Sequence, residues 1–306
     1  MAEELALESD EARVGAAIEE STTNRRARRR AAWWAEIKGI FWLVLAVLGF
    51  HSFIAKPFYI PSESMLPGLL VGDRLVVSKY PYGYSFVSPT FHMMPFMKGR
   101  LFGSLPARGD VVIVTPPGTR TDYIKRIIGL PGDRLEVRGG QVILNGVPVK
   151  RGPLHYVDIP DYGGVRMHDG SFTCDPVQYP GARRIAPDGS ISCRLPLVTE
   201  TLPDGRSYET VDLDPGYSEG DNYGPITVPA NNVFLMGDNR DRSADSRFSL
   251  AELGLGGPVP WEYVGGRAEF ITFSLDGSAT LNPLTWWGAF RGGRSGDSLH
   301  PARAAR

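Results

Sequence analysis

Apolar positions are not spread evenly along the chain. One unbroken run, residues 39–55 (GIFWLVLAVLGFHSFIA), stands apart from everything that follows it. At helical rise it covers about 26 Å, just under a typical hydrocarbon core. Lys38 can snorkel to lengthen the span, and Trp33 and Trp34 suit a membrane interface. Beyond residue 57 the pattern changes to short β-branched runs cut by Gly and Pro. Residues 74–77, 110–114 and 141–144 read as strands, and Asn145-Gly146 after the last of them is a hairpin signal. Few segments carry a helical period; residues 250–253 suffice for one turn. The predicted architecture is mainly β: an antiparallel β-sheet domain with an inserted β subdomain, preceded by one N-terminal transmembrane helix.

The same pattern sets the boundaries. Residues 1–32 are polar, rich in Ala, Glu and Arg, and lack an apolar face, so they are expected to form a disordered cytoplasmic tail. Residues 33–56 are the expected anchor, and 57–282 one β domain large enough to bury a core. Within it, 151–230 is polar and turn-rich, with Pro-Asp-Gly at 187–189 and 203–205, and reads as the insert. Residues 283–306 form a C-terminal segment, expected to be disordered from Gly292. Residues 82–105 crowd Tyr82, Tyr84, Phe86, Phe91, Met93, Met94, Phe96, Met97 and Phe102 without a strict period. Pro89, Pro95 and Gly99 break them into a loop for which core packing and bilayer contact fit equally well. The apolar patch 284–290, with Trp286 and Trp287, raises the same question.

Charge refines this picture. The formal total of −1 lacks the basic excess of a nucleic-acid binder. Arg25, Arg26, Arg28, Arg29 and Arg30 cluster just before the apolar run, which places the N-terminus in the cytoplasm and the β domain outside. A cleavable secretory signal has the same order of charge and apolar run. No small-x-small site follows, however, and Lys56-Pro57 comes directly after Ile54-Ala55, which favours an uncleaved anchor; a buried core helix is the other alternative. Outside the cytoplasm Cys174 and Cys193 can pair, closing a loop of about 20 residues worth about 3 kcal/mol on the chain-entropy model. There is no CxxC or HExxH, and the five histidines are scattered, so neither metal nor cofactor is expected.

Generic catalytic motifs fail. Gly216-Tyr217-Ser218-Glu219-Gly220 matches G-x-S-x-G, but no helix follows it. There is no S-x-x-K, no P-loop and no GxGxxG. Three segments remain. Ile60-Pro61-Ser62-Glu63-Ser64-Met65-Leu66-Pro67 is a loop stiffened at both ends by proline, offering two serines as nucleophile and hydrogen-bond donor; serines in such loops are more commonly turn formers. In Asp122-Tyr123-Ile124-Lys125-Arg126-Ile127-Ile128-Gly129, strand alternation puts Tyr123 and Lys125 on one face. A lysine beside these apolar groups can be desolvated into a neutral base, though a snorkelling surface lysine is the commoner case. The third, Gly237-Asp238-Asn239-Arg240-Asp241-Arg242-Ser243-Ala244-Asp245-Ser246-Arg247, alternates charges of both signs, as in a folded ion-pair network or a solvated loop.

Taken together and in order, IPSESMLPGLLVGDRLVVSKY (60–80), RGDVVIV (108–114), DYIKRIIGLPGD (122–133), GDNRDRSADSR (237–247) and GRA (266–268) resemble the type I signal peptidases, membrane-bound Ser/Lys proteases that remove signal peptides from exported proteins. The resemblance implies Ser64 as nucleophile and Lys125 as general base. It implies an oxyanion hole from Ser62 Oγ and the Ser64 backbone N–H, a hydrogen bond from Ser243 to the lysine, and Asp245 with Arg247 holding that region. Phe58, Ile60, Met65, Leu69, Asp122, Tyr123 and Ile124 would bind substrate around shallow pockets that favour A-x-A. The implied setting is the bacterial cytoplasmic (inner) membrane, single-pass, near the secretion translocon, with signal peptides and the lipid bilayer as partners and no nucleic acid. Three other readings are a soluble self-cleaving Ser/Lys repressor, which the anchor argues against, a relative that matures one secreted protein, and a tethered β scaffold in which both residues are incidental.

Overall fold

The structure, a computed structural model, describes residues 29–89, 96–160, 174–176, 179–213, 216–276, 278 and 282–303. Residues 1–28, which carry the expected tail, lie outside the described residues, as do Phe91, Met93 and Met94. The chain divides into two units, Met1–Phe50 and His51–Arg306. The described part of the first is helix. The whole helix, Arg29–Phe53, has 25 residues and is long and apolar enough to cross a membrane. It exposes Trp33, Trp34, Phe41, Trp42 and Leu43 along its length. It ends earlier than the apolar run does. Pro57 removes a backbone donor and disfavours helix in the residue before it, and Ala55 already belongs to the strand Ala55–Tyr59.

Seven strands of the second unit form one antiparallel sheet in the order Ala55–Tyr59, Asp73–Ser78, Val264–Ser274, Val111–Val114, Tyr123–Gly129, Asn232–Met236 and Val259–Pro260. Val111–Val114 is wholly apolar because both sheet faces are covered. Val111 and Ile113 pack on one face with Ile60, Leu75 and Ile271. Val112 and Val114 pack on the other with Ile127, Leu235 and Val264. The long strand Val264–Ser274 slips register twice against Asp73–Ser78, between Ala268 and Phe270 and between Ile271 and Phe273. Such bulges bend and twist a strand. The edge strand Ala55–Tyr59 and the inner strand Tyr123–Gly129 meet through the first of these cores, where Phe58 and Ile60 pack with Ile124. Gly266 is required in the long strand: a Cβ there would lie 2.4 Å from the Ser78 carbonyl oxygen.

Two further sheets flank this one. Gln141–Leu144 pairs with Arg134–Arg138 and, through the Asn145-Gly146 turn, with Val147–Pro148. Both turn residues have positive φ, 53° and 81°, as the hairpin signal requires. Tyr223–Thr227, inside the stretch expected as an insert, joins this sheet beside Arg134–Arg138. The other sheet centres on Ile191–Thr201, paired with His155–Pro160, Arg183–Ile185 and Arg206–Val211. There a disulfide joins Cys174 to Cys193, with Cα atoms 5.6 Å apart.

The tail corrects an expectation. Residues 292–303 are ordered against the β domain rather than disordered. Arg294 donates to both carboxylate oxygens of Asp73 at 3.0 and 2.6 Å, Leu299 enters the apolar core, and Ala302–Arg303 pairs with the strand Arg206–Val211. A Gly/Arg/Ser-rich composition lacks local preference, but the fixed carboxylate of Asp73, far away in the chain, supplies the partner.

Candidate active site

The segment 60–67 crosses the sheet end as a turn pinned by its backbone: Ile60 N–H donates to Asp73 O, Leu66 N–H to Glu63 O and Leu69 N–H to Met65 O. Met65 and Leu69 anchor it in the core. Ser64 is thereby buried, while Ser62 stays exposed. From below, Lys125 rises on the strand Tyr123–Gly129, opposite Val112. Its Nζ donates to Ser64 Oγ at 2.8 Å, and Ser62 Oγ lies 3.5 Å from the same oxygen. Lys125 is 3% exposed. Its Nζ stands 5.6 Å from the centre of the Tyr123 ring, on the shared face that alternation predicts. Burial lowers the lysine to about pKa 8; the carboxylates of Asp245 and Asp238 oppose this, and Arg247 adds to it.

The acidic and basic loop 237–247 is a folded network rather than a solvated surface. Gly237 N–H donates to Asp245 Oδ2 at 2.9 Å, and Arg247 grips both Asp245 oxygens at 3.0 Å. Burial alone would raise Asp245, but Arg247 and the two backbone donors outweigh it and hold its carboxyl below the usual range. Asn239 N–H binds Ser64 O at 3.1 Å, so this loop carries the serine backbone directly. Gly237 lies so close beneath that a Cβ would meet Ser64 O at 2.4 Å and Ser243 Oγ at 2.2 Å. Ser243 departs from expectation. Its Oγ is buried beside Gly237 and has no hydrogen-bond partner among the described residues; the lysine's bond goes to Ser64 instead.

The expected substrate residues fall into two groups. Phe58, Ile60, Met65, Leu69 and Ile124 form one apolar cluster. Tyr123 packs against the opposite core, and its hydroxyl donates to Leu253 O at 3.2 Å. Asp122 is exposed and accepts from Thr115 Oγ1 at 2.7 Å, outside the apolar cluster. The ladder from Asn232–Met236 to the lysine strand stops at Arg126, so, among the described residues, 123–125 pair on one side alone, with the strand Val111–Val114. Ser218 of the G-x-S-x-G match caps a short turn, and its hydroxyl donates to Asp241 rather than joining this pair.

Several supporting residues escaped the sequence reading. Glu63, between the two serines, is buried and accepts from the Tyr179 hydroxyl at 2.6 Å; Asn239 Nδ2 bonds both that hydroxyl and Glu63 O. Arg126, beside the lysine, forks onto Asp238 at 2.7 and 2.6 Å. Arg240 forks onto Glu200 at 3.0 and 2.6 Å. Only the charge alternation of 237–247 hinted at these pairs, because each partner is far away in sequence. Among the described residues no group of His, Cys, Asp or Glu could hold a metal ion.

A dry lysine amine on a serine hydroxyl, with a second hydroxyl alongside, is an arrangement that can run serine acyl transfer with an amine as base. The chain belongs to the signal peptidase family S26. The family model "Signal peptidase, peptidase S26" matches residues 33–273. Among similar curated proteins, the signal peptidase I of Rickettsia typhi (strain ATCC VR-144 / Wilmington) is 34% identical over 82% of each chain. That of Rickettsia canadensis (strain McKiel) is 33% identical over 82% of each. A crystal structure of a signal peptidase I from Enterococcus faecalis V583 aligns at 22% identity with a TM-score of 0.26, over 54% of this chain and 97% of that one.

The lysine's environment sets the pH dependence. A base role for the neutral amine predicts that kcat/KM rises with pH through about 8 and levels off above it. At pH 7 roughly a tenth of the lysines would be neutral. A pH profile of cleavage checks this; a limb centred near the ordinary lysine pKa would contradict the buried base.

Proposed function

We propose that the chain is a membrane-anchored endopeptidase that removes N-terminal signal peptides from exported preproteins, with Ser64 as nucleophile and Lys125 as base. The 2.8 Å contact between Lys125 Nζ and Ser64 Oγ, inside a dry pocket, carries this reading. Neutral Lys125 takes the hydroxyl proton as Ser64 attacks the scissile carbonyl. Ser62 Oγ and the Ser64 N–H receive the oxyanion. As the tetrahedral intermediate collapses, Lys125 passes its proton to the leaving nitrogen, so the mature protein departs as a neutral amine and the signal peptide stays as an acyl-enzyme; the lysine, neutral again, then takes a proton from the water that releases it. Ser243 Oγ, buried without a hydrogen bond among the described residues, would accept from the lysine once it carries the proton. Asp245 and Arg247 hold that loop in position.

Substrate would add as a strand along the unpaired side of residues 123–125. Its alternate side chains would meet the cluster of Phe58, Ile60, Met65, Leu69 and Ile124, with Asp122 and Tyr123 alongside; little space among buried side chains favours A-x-A. The helix Arg29–Phe53 would cross the bacterial cytoplasmic membrane once, with the N-terminus inside and the β domain outside near the translocon. Exposed Phe96, Leu101, Phe102, Leu284 and Trp287 would meet the bilayer. Incubating the purified chain with a preprotein and sequencing the new N-terminus tests this. Cleavage should follow A-x-A and be lost when either alanine becomes leucine; cleavage indifferent to both changes would refute the pocket assignment.

Ser62→Ala removes one oxyanion donor while leaving the base and nucleophile in place. It should lower kcat by about 10²–10³ with little change in KM. Single-turnover cleavage measures this, and an unchanged rate would remove Ser62 from the hole.

A further inference from the structure

Lys79 follows the strand Asp73–Ser78 and is 4% exposed, yet its Nζ makes no hydrogen bond or ion pair with any described residue. A largely desolvated ammonium with no protein partner is favoured when an anion meets it in the space it faces. The amine lies by Gly265, 3.8 Å from where a Cβ would stand, and both line a cavity of about 360 Å³. Lys56 and Arg120 line the same cavity, with Ser88 and Asp122. Three cations thus face one carboxylate, and that carboxylate already accepts from Thr115. Burial, and then the charge of Lys56, lower Lys79 to about pKa 8, which leaves it mostly charged at neutral pH. None of these three cations has a part in the serine–lysine chemistry.

Val87, Pro89 and Ile113 add apolar walls to the cavity. The Lys79 N–H donates to Ile54 O at 2.9 Å, so the cavity adjoins the residues where the chain leaves the helix Arg29–Phe53. Phe53, Ile54 and Tyr80 are exposed there. A cationic cavity with an apolar border matches an amphiphile better than a free ion or an acidic peptide.

We infer that this cavity binds the phosphate of an anionic phospholipid headgroup, through Lys79, Lys56 and Arg120, with the acyl chains against Phe53, Ile54 and Tyr80. Several oxygens on one phosphate let the three cations share it.

The test uses the full chain in an uncharged maltoside detergent, titrated calorimetrically and melted with soluble probes. Dihexanoyl phosphatidylglycerol should bind saturably, one per chain, and raise the melting midpoint. Dihexanoyl phosphatidylcholine and inorganic phosphate should each bind roughly tenfold more weakly or worse, lacking net charge or acyl chains. Lys79→Met and the exposed-loop variant Arg120→Gln should each weaken phosphatidylglycerol by roughly tenfold or more. Without lipid, Lys79→Met should melt no lower than the wild type. Phosphatidylglycerol binding that equals phosphatidylcholine, or survives both substitutions, would overturn the site. Inorganic phosphate binding as tightly as the lipid, or an acidic tetrapeptide binding in its place, would overturn the lipid assignment.

Discussion

Ser64→Ala and Lys125→Met should each lower preprotein cleavage on the order of 10⁴–10⁶-fold, with Ser64→Ala/Lys125→Met no worse than either alone. In the proposed reaction the two groups act as one unit: the proton that leaves Ser64 Oγ has one evident acceptor, the amine 2.8 Å away. Removing either end removes the transfer, and removing both removes nothing further. Neither variant should unfold the protein. Among the described residues Ser64 Oγ bonds only Lys125 and Ser62, and methionine fills the lysine's volume without its charge. Melting midpoints therefore separate a chemical loss from a structural one. Additive losses, or a Lys125→Met enzyme with more than a tenth of wild-type activity, would remove the lysine from the role of base.

The strands and the pair at the site were legible in the sequence for different reasons. Gln141–Leu144 and its Asn145-Gly146 turn declare themselves locally, because alternation and positive φ depend on adjacent residues. Ser64 and Lys125 did not. Each alone reads as a turn serine and a surface lysine, and the ordered blocks of the family supplied the pairing. What stayed hidden is non-local. Glu63 looked like a variable residue between two serines, yet Tyr179, far away in the chain beyond the insert's first strands, holds its carboxylate. Residues 292–303 looked unstructured because nothing within them signals Asp73 or the strand edge at Arg206. Ser243 shows the reverse case: the family block placed it beside the lysine, but the lysine's bond goes to Ser64. One hydroxyl cannot be read as bonded from order alone, since bonding is settled within fractions of an ångström.

Glu200→Ala should destabilise the protein by about 3–5 kcal/mol, more than any substitution at the serine–lysine pair. Glu200 and Arg240 are both fully buried and joined by two bonds, and the Tyr208 hydroxyl adds a third to Glu200 at 3.0 Å. Truncating the glutamate leaves a guanidinium in the core without its bonded counter-charge, since the nearby Asp238 is already gripped by Arg126. The damage should also reach the active site. Arg240 Nε bonds Gly237 O, its N–H bonds Val211 O, and its carbonyl receives Arg247. Through the next residue back, Asn239, the same loop holds the Ser64 backbone. Cleavage by Glu200→Ala should thus fail at temperatures where the wild type still works, with a normal KM while folded. The partner test separates a missing charge from a missing shape. Glu200→Leu/Arg240→Met replaces the pair with apolar groups of similar size and should recover most of the lost stability, since buried pairs gain little over packed hydrophobes. Denaturant midpoints decide the matter. A Glu200→Ala loss below about 1 kcal/mol would mean water reaches Arg240 and the loop is not anchored there.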